Sequence, residues 1–105
     1  MKPNVKAELL ILNNLDKIYT TCKGLAKSWR TKRISIAVLQ HVISLSKMGE
    51  DVKLNDKFKN AYNAMLDELL KTCRGQSVAG FVSFKDLRKN IKICKKGILK
   101  WIDSQ

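Results

Sequence analysis

Lys85, Arg88, Lys89, Lys92 and Lys96 recur three and four positions apart, and Asp86 is the single acid between Phe81 and Lys100. On a helix this spacing gathers the five cations on one face, opposite a Phe84–Ile91–Ile98 stripe. Lys and Arg neutralise phosphates and release counterions, and Arg and Asn also reach base edges, so the chemistry implied is polyanion binding. Asn90 lies beside that face. A merely solvated surface helix would carry compensating Glu at i,i+4, and this segment has none. A second cluster, Lys23, Lys27, Arg30, Lys32 and Arg33, also occurs without an acid. Arg30, Lys32 and Arg33 are expected to form a second phosphate clamp. The two segments supply eleven of the net charge of +12, and the middle of the chain is nearly balanced.

Other chemistries find little support. Asp67 and Glu68 are adjacent, so on a helix they diverge and cannot work on one substrate together. His41 falls within an apolar helical pattern and reads as a core or boundary residue. No nucleophile elbow or oxyanion motif accompanies it. Cys22, Cys73 and Cys94 are odd in number, lack any C-x-x-C pair, and lie 19 and more residues from His41. They read as small buried hydrophobes in a reducing compartment, the cytoplasm or nucleus, with no metal. Trp29, inside the basic cluster, and Trp101 suit lids on a core better than a stacking platform. The expectation is a non-enzymatic domain with no cofactor.

The elements that position these residues read as helices. About Lys6 to Ala26 carries Ile11, Leu15, Ile18, Cys22 and Leu25 at helical spacing. About Thr31 to Met48 carries two stripes, Ile34–Val38–Val42–Leu45 and Ile36–Leu39–Ile43, a wide arc that predicts a helix packed on two sides. Asn55 is placed to cap a third helix bearing Phe58, Ala61, Tyr62, Met65, Leu69 and Cys73, which ends at Arg74-Gly75. Gly75 to Gly80 reads as an exposed loop. Ser83 and Asp86 open a fourth, basic helix over residues 83–97, and Gly97 either ends it or interrupts it. If it ends there, Ile98–Ile102 becomes a short strand. No repeat of 20–50 residues is visible, no run of apolar residues is long enough to span a membrane, and the start lacks the cleavage site of a signal peptide.

At 105 residues this predicts one mainly α domain over 1–105, four or five helices around one core. ISIAVLQHVISLSKMGEDVKLNDKFKNAYNAML (Ile34 to Leu66) followed by VSFKDLRKNIKICKKGIL (Val82 to Leu99) resembles the C-terminal winged-helix domain of origin-recognition and Cdc-type replication initiators. The likeness lies in an apolar helix ending in a Lys-x-Gly turn, a helix with an aromatic and a Tyr, then Phe-x-x-Leu leading to Gly-Ile-Leu. It implies a winged-helix or helix-turn-helix arrangement, double-stranded DNA in contact with the fourth helix, and membership of a larger assembly. The partner expected is therefore nucleic acid, DNA ahead of RNA. The alternative is a helical protein-interaction domain that takes an acidic segment.

Overall fold

Ser35 and Ser83 organise the chain. In the computed structural model, which describes residues 5–26 and 32–105, each serine ends a three-residue strand and caps the helix that follows. Ser35 Oγ accepts from Val38 N at 3.2 Å, and Ser83 Oγ accepts from Asp86 N at 3.1 Å. Each serine thus satisfies a backbone donor that the first helical turn leaves open. The order is α1 (Val5–Leu25), β1 (Arg33–Ser35), α2 (Ile36–Ser46), α3 (Asp56–Gly75), β2 (Phe81–Ser83) and α4 (Phe84–Asp103). The domain is mainly α, four helices with one small antiparallel sheet. Its strands pair Arg33 with Ser83, Ile34 with Val82 and Ser35 with Phe81. Beyond the ladder, Ile36 N donates to Gly80 O and Phe84 N donates to Lys32 O.

Those reciprocal bonds belong to a two-fold repeat that the sequence reading does not detect. The buried residues of α1 are Ala7, Ile11, Leu15, Ile18 and Cys22; those of α3 are Phe58, Tyr62, Leu66, Leu69 and Cys73, each 51 positions later. From the strands onward the offset becomes 48, pairing Ile34 with Val82, Ser35 with Ser83, Leu39 with Leu87 and Ile43 with Ile91. The left-handed residues Lys32 (φ 48°) and Gly80 (φ 80°) also correspond. So do two ion pairs that cross between halves, Lys47 to Asp67 at 2.8 Å and Lys95 to Asp16 at 2.5 Å. One helix–strand–helix unit is used twice, with α1 packed on α2 and α4, and α3 on α2 and α4. The three-residue slip between the helix offset and the strand offset, and the few identities, hide it from a scan for repeats.

Four expectations are corrected. Residues 33–35 are strand, so the second helix begins at Ile36 rather than near Thr31, because Ser35 is its cap. Leu45 is 73% exposed, outside the core stripe assigned to it, and His41 is exposed too. Gly97 neither ends nor breaks α4, which continues to Asp103 with Ile98 and Ile102 buried. A Cβ at Gly97 would lie 2.9 Å from Met65 Cε, so the missing side chain leaves room for the end of the Met65 side chain from α3. Both strands precede helices, and among the described residues no strand follows α4. Trp101 does lie half-buried against Phe58, with ring centroids 6.2 Å apart. Asn55 caps α3 as expected, its Oδ1 accepting from Phe58 N at 2.8 Å.

Candidate nucleic-acid interface

Helix α4 separates its residue types by face. Phe84, Leu87, Asn90, Ile91, Cys94, Ile98 and Ile102 are buried, while Lys85, Arg88, Lys89, Lys92 and Lys96 are all exposed. Among the described residues none of these five forms an ion pair. Lys95, one step off the face, is held by Asp16 instead. Lys32 and Arg33 are exposed and reach the same helix by a different route. Arg33 faces Ser83 across the sheet, and the Lys32 carbonyl accepts the Phe84 amide at 2.9 Å. Strand pairing thus brings the second basic segment to the first turn of α4. Arg30, the remaining member of the expected clamp, lies outside the described residues, as does Trp29.

The exposed face continues into a groove between α4 and α1. Its lining includes Tyr19 and Lys23 from α1 and Arg88 and Lys92 from α4, around about 360 Å³. An adjoining cavity past Tyr19 adds Lys85 and Lys89. Tyr19 is half-buried, its ring set edge-on to Phe84 at 6.1 Å and 77°, and Lys23 Nζ stands 4.9 Å from its centroid. Asp16 is the one acid in this lining, and it is already bound to Lys95. The sequence reading counted Lys23 in the basic cluster but did not single it out, and it passed over Tyr19. Their i,i+4 spacing was visible; the antiparallel approach of α1 to α4 was not.

Asn90 proves to be a structural residue rather than a base reader. It is 4% exposed, and its Nδ2 donates to Gln76 Oε1 at 2.6 Å and to Cys73 Sγ at 3.5 Å. Those bonds tie the segment after α3 to α4. The three cysteines are free and buried, as their apolar spacing predicted. Burial pushes the Cys22 thiol up to about 12 and that of Cys94 to about 11. It raises that of Cys73 too, against the opposing hydrogen bond from Asn90. A thiol so held stays protonated near neutrality and is a poor nucleophile or ligand.

Among the described residues no group of three His, Cys, Asp or Glu side chains converges. Residues 75–86 do have the length of a calcium-binding helix–loop–helix loop, with the left-handed Gly80 at its sixth position. Its first, third and fifth positions are Gly75, Ser77 and Ala79, which supply no carboxylate for a cation. Comparison with known proteins adds no relative: no protein-family model, curated protein or solved structure matches this chain.

Proposed function

We propose that this domain is a non-enzymatic nucleic-acid-binding module, with duplex DNA as its first ligand, and that α4 carries the contact. One observation carries the reading. Over the eleven positions that α2 shares with it in the repeat, α4 displays four exposed cations, Lys85, Arg88, Lys89 and Lys92, while α2 has none; Lys96 and Lys100 extend the row beyond. A helix in this position does not need the charges to fold, so their accumulation on α4 calls for an outside partner. Lys32 and Arg33 at its first turn enlarge the field. The resemblance to initiator winged helices also assigns DNA contact to this helix.

If these residues engage roughly 4–6 phosphates, log affinity should fall with log salt at a slope of about −4 to −5. Titration of a labelled duplex at several salt concentrations measures it. Replacing Arg88, Lys89 and Lys92 with Ala should flatten that slope by roughly two to three. Absence of binding at low salt, or a slope unmoved by the triple replacement, defeats the proposal.

A second reading has one observation in its favour. Ile93 is 57% exposed on α4, beside Lys89, Lys92 and Lys96. An apolar side chain among cations suits an acidic protein segment with a hydrophobic anchor. Ile93→Ser separates the two readings: it should leave duplex affinity within about two-fold, since phosphate contacts are electrostatic, and should abolish capture of an acidic peptide.

A further inference from the structure

We infer that the groove between α1 and α4 is a seat for one nucleic-acid strand, with Tyr19 and Lys23 forming its second wall. The inference rests on the proposed nucleic-acid reading and assigns two residues from outside α4. Charge converges on the groove from two separate helices, Lys23 on one side and Arg88 and Lys92 on the other. Lys85 and Lys89 extend the line past Tyr19. A convex helix face meets phosphates from one side only. A groove with cations on both banks follows a backbone and can hold it without a complementary strand.

At about 1.5 Å per residue, the α4 cations that line the two cavities, Lys85, Arg88, Lys89 and Lys92, cover roughly 10 Å of helix. With Lys23 on the opposite bank, the two cavities offer a strand five cationic contacts. Tyr19 brings what a row of lysines lacks. Its hydroxyl can donate to a phosphate or sugar oxygen, and its ring gives an apolar surface against the sugar. Packing against Phe84 holds that ring in place.

The repeat supplies an internal control. At the corresponding groove between α3 and α2, Tyr19 is replaced by Leu70, Lys23 by Arg74, Arg88 by Gln40 and Lys92 by Ser44. There the Arg74 guanidinium donates to Gln40 Oε1 across the two helices. The same scaffold therefore closes one groove with a hydrogen bond and lines the other with cations. Packing of the helices does not require Tyr19, Arg88 and Lys92 to be what they are; at the position of Lys23 both halves keep a cation, and only in the counterpart groove is it tied to the opposite helix.

The test is fluorescence anisotropy of the full chain with a single-stranded oligonucleotide and with its duplex, across a salt series. The single strand should bind, with a slope of about −3.5 for five contacts, shallower than for duplex because single strands hold fewer counterions. Lys23→Gln should flatten the slope by about one. Tyr19→Phe keeps the ring against Phe84 and removes only the hydroxyl. It should weaken binding roughly three- to ten-fold at unchanged slope, the effect of one hydrogen bond. Arg74→Gln, in the counterpart groove, should change neither quantity. Binding of duplex but not of single strand overturns the inference, as does a slope indifferent to Lys23→Gln while the Arg88, Lys89 and Lys92 replacement still lowers it. If that triple replacement has no effect on binding to either ligand, the broader nucleic-acid reading falls first and this one with it.

Discussion

The half α1–β1–α2 and the half α3–β2–α4 share a scaffold and differ in what they present. Both bury five residues at matching positions of the long helix, pass through a left-handed residue, pair a central Ile34 or Val82, and cap the next helix with serine. Yet α2 spans 11 residues without a cation, while α4 spans 20 with six exposed cations, four of them within the 11 positions the two helices share. The shared features are those that burial and backbone hydrogen bonding impose on any chain of this topology. The differing features lie on solvent-facing positions, where the scaffold imposes nothing. What differs between equivalent positions is therefore the better guide to function than what is charged or apolar in absolute terms.

The largest contrast between the halves should appear in their thiols. Cys22 and Cys73 occupy equivalent positions, both 0% exposed, but only Cys73 receives a hydrogen bond from Asn90. The Cys22 thiol moves from 9.0 to about 12. Its thiolate is therefore scarce near neutrality, whereas the hydrogen bond from Asn90 opposes the effect of burial at Cys73. Labelling of the native chain by a thiol reagent should be slow, with Cys22 the slowest, and mass spectrometry of time points would rank the three. Labelling of Cys22 ahead of Cys73 would remove the distinction. Because the native thiols hold their protons more tightly than the unfolded chain does, the unfolded state ionises first as pH rises. Stability from their burial is complete below about pH 9 and is lost progressively as pH climbs towards 11 to 12.

The turn before each strand gives a smaller contrast. Gly80 and Lys32 are both left-handed, a conformation that costs an L-residue about 1–2 kcal/mol and glycine almost nothing. Gly80→Ala should therefore destabilise by about that amount in denaturant unfolding. Lys32→Gly should leave stability level or raise it by up to about 1 kcal/mol, since relief of strain exceeds the added freedom of the unfolded chain. A loss in Lys32→Gly as large as in Gly80→Ala would mean that the two turns are not equivalent.

The same comparison explains what could be read without coordinates. Helical periodicity exposed α1, α3 and α4, and the caps Asn55 and Ser83 with them, because each signal sits within a few residues of chain. The cationic face of α4 was legible for the same reason. The sheet was not: a strand of three residues has no periodicity, and its partner is 48 positions away. Missing the sheet meant extending α2 back to Thr31, and it hid how Lys32 and Arg33 reach α4. Asn90 was misread because its polarity outweighed its spacing: Leu87, Asn90 and Cys94 lie three and four apart on the buried stripe, and Gln76 and Cys73 supply the partners that let an amide sit there. Gly97 was ambiguous because a glycine that ends a helix and one that admits Met65 look the same in one dimension.

The smallest effects should come from the two crossing ion pairs, and they sharpen the comparison most. Lys47–Asp67 and Lys95–Asp16 are equivalent and partly exposed, so each should contribute only about 0.2–1 kcal/mol in a double-mutant cycle. The Lys95 side chain is the less exposed of the two cations, 23% against 39%, which puts its pair at the upper end of that range. Their functional consequences should diverge. Asp16 lines the groove beside Arg88 and Lys92, whereas Asp67 lies on α3, which contributes nothing to that lining. Asp16→Asn removes a negative charge from the groove and frees Lys95, so nucleic-acid affinity should rise and the salt slope steepen by up to about one. Asp67→Asn changes net charge by the same amount. At physiological salt, screening over about 8 Å should keep that change from a ligand seated between α1 and α4. An equal gain in affinity from both replacements would show that total charge, and not its placement on one half, governs binding.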